Sequence, residues 1–437
     1  MVFLMSKQNI EFKDSGISYI DKIPIHWNIA KVKNIVKIPV QTGAGEEAQD
    51  KHEKSIRYIR ISDFDLNGKI KPEVAAYIHY EKGKNFLIEK GDILCATAGA
   101  TVGKTLFFEG LDEPSCYAGY LAKIRVNPNK MLNTFLLYQM RCQIMDGFRN
   151  FFVKKSTIEN ISAKTYSNMP IIVPPLNEQK KIAEFLDKKC EIIDKRLSNL
   201  ERKIKSLKEY KKSLISECVT TGLNPKNMEF KDSGIPWCPQ IPSDWQVINP
   251  KILFKQRNQK AKSGEIQYTA SQEFGIISQE EYTRKTGYNM VKVLKGFDIL
   301  KHVEVGDFVI SMRSFQGGLE YSNVSGSISS AYVMLIPNSK FVNNRYFRWL
   351  FKSSKYIDAL QSTTNLIRDG QAMRYSNFAL IKLIVPSLNE QKEIAEFLDK
   401  KCEKIDRLNE NYTKQITALK EYKKSLIYEC VTGKKEI

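Results

Sequence analysis

The chain has 437 residues, with 68 Lys and Arg against 49 Asp and Glu, a formal net charge of +19 and 42% hydrophobic residues. That allows two or three soluble domains with cores of their own, and a surplus so basic points to a polyanionic partner, nucleic acid above all. No apolar stretch approaches the roughly 20 residues of a membrane span, and eight scattered cysteines without a C-x-x-C pair argue against a disulfide framework or zinc site and for a reducing cytoplasm.

In chain order, the opening Met-Val-Phe-Leu-Met is too short for a signal-peptide core. Residues 1–27 form an arm whose "EFKDSGISYIDKIPIHW" returns 218 residues later as "EFKDSGIPWCPQIPSDW". Residues 28–170 form a block of short β-branched and aromatic runs punctuated by Gly, Asn and Asp. Within it, "SIRYIRISDFDLNGKI" predicts two strands across an Asn-Gly turn.

The same block holds "AGATVGKT" at 98–105, one methyl group away from a phosphate-binding G-x-x-x-x-G-K-[ST] loop. Such a loop needs a helix directly after Lys-Thr, so that its amides meet the anion. Here Leu-Phe-Phe-Glu-Gly follows, which predicts a strand. The counterpart in the second half, "GDFVISMRSFQGGLEYS", lacks both the Lys and the Ser/Thr. The segment is a Gly-rich hairpin.

Residues 171–222 carry a long helix, with Asn177 placed as its N-cap and Glu178 in the first turn. Apolar residues recur at alternating three- and four-residue steps: Leu186, Cys190, Ile193, Leu197, Leu200, Ile204, Leu207, Leu214 and Cys218. That is a coiled-coil seam, with Lys211 occupying one position. At 1.5 Å per residue the helix runs roughly 65–70 Å. A connecting arm (223–245) leads to a second block (246–385) and a second helix segment (386–437). "PPLNEQKKIAEFLDKKCEIIDKR" at 174 and "PSLNEQKEIAEFLDKKCEKIDRL" at 386 lie 212 residues apart. The second seam keeps Leu398, Cys402, Ile405, Ile416, Leu419 and Leu426, with Asn409 and Tyr412 on it. The four seam cysteines, Cys190, Cys218, Cys402 and Cys430, read as small core hydrophobes. The two blocks are distant relatives: Gly91-Asp92-Ile93 matches Gly306-Asp307-Phe308, and Tyr120 matches Tyr332.

Catalytic patterns are missing. There is no Asn-Pro-Pro-Tyr-type motif, no G-x-G loop for S-adenosylmethionine and no nuclease-like acid–lysine cluster. His26, His52, His79 and His302 stand alone, each a surface or satisfied histidine. The reading therefore includes no catalytic group, no cofactor and no metal.

The duplicated Pro-x-Leu-Asn-Glu-Gln-Lys helix and the arm "KDSGI…IP…W" resemble those of the specificity (S) subunit of type I restriction-modification enzymes, over almost the whole chain. The resemblance implies an α+β fold: two pseudo-two-fold-related, strand-rich target-recognition domains separated by two long antiparallel coiled-coil helices. It implies a non-catalytic subunit that reads a bipartite, asymmetric sequence in double-stranded DNA. Two methyltransferase (M) subunits supply catalysis, and restriction (R) subunits add ATP-driven translocation and cleavage.

Basic residues would neutralise phosphates and a few polar side chains would reach base edges. The candidates in the first block are Arg57, Arg60, Thr101, Lys104, Lys154, Lys155, Ser156 and Thr157. In the second they are Arg313, Gln316, Asn365, Arg368, Gln371 and Arg374. The alternative is a basic coiled-coil scaffold or solitary regulator that binds DNA without methyltransferase partners.

Overall fold

In a computed structural model, the structure describes residues 11–65, 68, 70–71, 73–153, 160–289, 293, 299–363 and 373–437. The chain divides into two compact units, Met1–Leu200 with Lys414–Ile437, and Glu201–Thr413.

The first unit is centred on a four-stranded antiparallel sheet in the order Gln41–Thr42, Leu121–Ile124, Ile93–Ala96, Thr105–Phe107. Its inner strands are buried along their whole length: Ile93–Ala96 is an uninterrupted apolar run, and Leu121–Ile124 is broken by Lys123, whose ammonium donates to the Leu87 carbonyl at 2.7 Å. A second sheet joins Tyr77–His79, Ser55–Ile59 and Ser115–Tyr117. The strand Ser55–Ile59 therefore pairs with Tyr77–His79, and among the described residues the pairing across the expected Asn-Gly turn is the bridge Phe64 to Ile70. The second unit repeats the four-stranded order with Phe254–Arg257, Val333–Pro337, Phe308–Ile310 and Glu320–Tyr321.

One Gly-Asp corner recurs in both. Gly91 and Gly306 each sit at φ +95°, a conformation open to glycine, and turn the chain into the inner strand. Asp92 then accepts the Glu89 amide at 2.8 Å and takes Arg125 bidentately at 2.8 and 2.7 Å. Asp307 does the same with the Glu304 amide and Arg257. Both aspartates are buried, so removing either arginine leaves an uncompensated carboxylate, at a cost of about 3–5 kcal/mol. Arg125 follows the strand beside the corner, whereas Arg257 lies on the edge strand: one corner, two independent solutions.

The long helices span Leu176–Thr221 and Leu388–Val431. Their first residues overturn the expected cap. Asn177 lies inside the first turn, and the Pro175 carbonyl accepts the Glu178 and Gln179 amides; in the second helix Ser387 is the cap, its Oγ accepting the Glu390 amide. The remaining motif residues bind the helix to everything around it. Gln179, fully buried, accepts the Leu132 amide at 2.7 Å and donates to the Pro174 carbonyl at 2.8 Å. Glu178 accepts from the indole of the arm residue Trp27 at 2.8 Å. Gln391, Glu390 and Trp245 repeat each of these bonds in the second unit.

Each unit contains part of both long helices, running antiparallel. In the first, Asp194 pairs with Lys423 at 2.6 Å, and Leu186, Cys190 and Ile193 share a core with Leu426 and Cys430. In the second, Lys211 pairs with Asp406 at 2.6 Å, and Cys218 shares a core with Leu398 and Cys402. Lys211, on the seam, is thus ion-paired within the helix pair. The partner of each lysine is the repeat equivalent of the other aspartate. All eight cysteines are free and buried. Burial pushes the Cys218 and Cys402 thiols up to about 11 and Cys430 up to about 12, so they stay protonated.

A fragment of residues 1–228 carries Asp194 and Lys211 on one helix with neither native partner. It is expected to dimerise at micromolar concentration through two Lys211–Asp194 pairs and the apolar seam. Lys211→Glu should weaken the dimer, and adding Asp194→Lys should restore it, by sedimentation. A well-folded monomer would contradict this.

Candidate nucleic-acid interface

The segment 98–105 is a hairpin turn. The flanking strands register Cys95 opposite Thr105 and Ile93 opposite Phe107. The turn spends its own amides: Gly103 donates to the Ala96 carbonyl at 3.2 Å and Val102 to Gly99 at 3.0 Å. Val102 is buried and anchors the turn, which leaves Thr101 exposed and Lys104 half-buried. The Thr105 hydroxyl donates to the buried Met140 carbonyl. No helix follows the turn to aim its amides at a nucleotide phosphate; a strand, Thr105–Phe107, follows instead.

Other loops gather at this hairpin. The amide and hydroxyl of Thr97 both donate to the Tyr120 carbonyl at 2.9 Å. The Ile161 amide donates to Thr97, and Asn160 bridges Ala98, so the chain leaving residues 154–159 is paired to the hairpin's base. Arg149 packs against Gly103. Tyr120 is 40% exposed and lies within electrostatic range of Arg60. The hairpin that carries Thr101 and Lys104 thus has Tyr120, Asn160 and Arg149 as neighbours, at Thr97, Ala98 and Gly103 respectively.

Not every expected residue is available there. Arg57 is only 4% exposed and donates to the carbonyls of Ala76 and Val74 at 3.1 and 2.8 Å. It is an internal strut holding the strand's neighbour, which corrects its reading as a DNA contact. Arg60 is partly exposed, but its Nε and Nη2 are held by Asp63 at 3.1 and 3.0 Å. Lys154, Lys155, Ser156 and Thr157 lie outside the described residues, as do Asn365, Arg368 and Gln371.

In the second unit the corresponding hairpin is closed by one helical turn, Ser314–Gly317. Ser314 is buried and accepts the Ser311 amide at 2.8 Å, which turns Met312, Arg313 and Gln316 outward. The Gln272 side chain donates to the Arg313 carbonyl at 2.8 Å and ties the neighbouring turn to this one. Arg374 is exposed and caps the next helix through Asn377. The Asn377 amide also donates to the Thr363 carbonyl, so one side chain ties both ends of residues 364–372. Lys301 donates to the Tyr332 carbonyl at 2.6 Å, the place held by Thr97 in the first unit.

Sequence reasoning missed Tyr120, Arg149, Asn160, Met312 and Gln272. The match of Tyr120 with Tyr332 was the one available signal; both lie in the loop preceding an inner strand.

Exposed Arg and Gln at hairpin tips have the donor geometry for guanine and adenine edges, and Lys and Arg suit phosphates. His302 is satisfied between Glu265 and Glu304, at 2.9 and 3.2 Å. Among the described residues no group of three or more His, Cys, Asp or Glu could hold a metal ion, and no helix is long and apolar enough to cross a membrane.

The family model described as the type I restriction modification DNA specificity domain matches residues 24–207 and 242–418. The putative type I restriction enzyme MjaX specificity subunit of Methanocaldococcus jannaschii is 25% identical, over 99% of both chains. The MjaVIII specificity subunit of the same organism is 22% identical over 94% of each. Among solved structures, a chain of a type I R-M system, studied for its complex assembly and conformational transition, superposes with a TM-score of 0.70 at 15% identity. It is covered to 98% by 94% of this chain. The HsdS subunit of Thermoanaerobacter tengcongensis gives a TM-score of 0.56 at 16% identity, with the same coverage. These structures share the fold.

Arg57→Ala should lower Tm, because buried carbonyls lose their donor, while Lys104→Ala and Arg313→Ala should leave Tm unchanged and weaken DNA binding. ATP binding should be undetectable in the parent chain and in Lys104→Ala alike. Nucleotide binding that Lys104→Ala abolishes would contradict the hairpin reading.

Proposed function

The chain belongs to the type I restriction-modification DNA specificity family, and from that premise we propose that it reads a bipartite, asymmetric sequence in duplex DNA, one half per unit. The carrying observation is that the units share a sheet order, a Gly-Asp corner and a helix-start knot, yet differ at their hairpin tips. The first tip presents Thr101 and Lys104 in a tight Gly-rich turn; the second presents Arg313 and Gln316 on a helical turn. Equal scaffolds with unequal tips suit two readers of different half-sites.

In this reading the domains are 28–170 and 246–385. The tips supply base contacts, and the surrounding Lys and Arg set register on the phosphates. The chain itself is non-catalytic and acts in the cytoplasm. Two methyltransferase subunits bind it and carry out modification, and restriction subunits join for ATP-driven translocation and cleavage. The seam's burial inside the protein supports this over a solitary coiled-coil regulator, because the helix pair is consumed in holding the readers.

Transplanting residues 246–385 from a related chain should change one half of the recognised sequence and preserve the other, as read by methylation mapping. A change in both halves would contradict two independent readers. DNA affinity of the assembled complex should fall log-linearly with salt, with a slope of about 0.9 per phosphate neutralised. A flat plot would assign the +19 charge to something other than duplex DNA.

A further inference from the structure

The two long helices compare the chain with itself. Residues 176–194 match 388–406 at 17 of 19 positions, and 207–220 match 419–432 at 13 of 14. Between them, 195–206 match 407–418 at only 2 of 12. Burial accounts for retained seam residues, but exposed ones are retained too: Lys180 and Lys392, Glu184 and Glu396, Tyr210 and Tyr422. Solvated helix positions drift freely, and the middle stretch has drifted since the same duplication. Retention at exposed positions is the pattern that a contact with something outside the chain leaves.

The second unit shows what that contact needs. The helix Asn344–Leu350 and the second long helix enclose a groove of about 1040 Å³. Trp349 and Phe397 give it apolar lining, and its walls carry six carboxylates, Glu393, Glu396 and Glu403 among them, against four cations, a formal surplus of two negative charges. Its arginines are turned to their own chain: Arg345 is held by Asp399 at 2.6 Å, Arg348 lies over the Tyr321 ring, and Arg407 donates to Glu403 at 2.7 Å. Glu396 and Glu403 recur as Glu184 and Glu191, so both units share an acidic helix face. An apolar lining with acidic walls is complementary to a basic amphipathic helix.

The faces differ where the helices start. Position 393 is Glu in the second unit and Lys181 in the first; the residue before the arm tryptophan is Asp244 in the second and His26 in the first. His26 hydrogen-bonds Glu178 at 3.1 Å, whereas Glu390 leaves its Oε1 buried without a partner. Burial, then Asp244 and Glu393, push the Glu390 carboxyl above the usual range. Counting Lys as +1, Asp and Glu as −1 and His as 0, Lys181 and His26 sum to +1 and Glu393 and Asp244 to −2, a formal difference of three charges.

We propose that the helix start of each unit docks a basic amphipathic helix of one and the same partner, in the second unit through this groove, and that the two sites are unequal, the more acidic one in Glu201–Thr413 filling first. This rests on the reading of the chain as a specificity subunit that binds two methyltransferase subunits. The full chain is titrated with the methyltransferase subunit of the same system and followed by native mass spectrometry. A 1:1 complex should accumulate before the 1:2 complex, the two constants differing about tenfold beyond the statistical factor for equal sites. Glu393→Lys with Asp244→His should bring the constants together by weakening the tighter site. Lys181→Glu with His26→Asp should do so by tightening the weaker one. Statistical binding by the parent chain, or variants that leave the ratio unchanged, would overturn the inequality while leaving the partner reading intact. No binding at all would overturn that reading, and this proposal with it.

Discussion

Everything in each unit hangs from the first turn of a long helix. The buried glutamine there, Gln179 or Gln391, accepts an amide from the block and donates to the carbonyl of the proline two residues before the helix, Pro174 or Pro386. One residue earlier, Glu178 or Glu390 holds the indole of the arm. Arm, block and helix are thus fixed to one another within four residues. A buried amide side chain is costly unless its bonds are made, so this knot tolerates little change. That is the physical content of the repeated Leu-Asn-Glu-Gln motif.

The knot separates what the chain keeps from what it varies. Next to it, the Gly-Asp corners stay buried and charge-paired although their arginines come from different strands. Far from it, the hairpin tips differ in backbone and side chains, because packing fixes only anchors such as Val102 and Ser314 and leaves Thr101, Arg313 and Gln316 facing solvent. A protein that must read two different half-sites on one scaffold needs that separation of rigid support from free surface.

Much of this was legible from residue order. The hairpin at 98–105 followed from the aromatic strand behind Lys104-Thr105, and the seams followed from their three- and four-residue steps. The helix cap was misplaced because Asn177 and Pro175 are both reasonable first-turn residues, and only the bonding of the Pro175 carbonyl separates them. Arg57 was misjudged because a polar residue in a short strand looks the same in sequence whether it points out or in. Its partners are the carbonyls of Ala76 and Val74, which become neighbours only when two strands pair.

By itself the sequence determined the duplication, the long helices with their apolar seam, the strand-rich blocks and the family, since repeats and periodicity are properties of residue order. Tertiary structure decided which charges face outward and which are struts, and that each unit includes part of both helices. Asp92 finds Arg125 across 33 residues, and Lys211 finds Asp406 across 195. Such partners are set by strand pairing and helix register. Those depend on burying apolar surface from distant parts of the chain at once, and no local pattern records that.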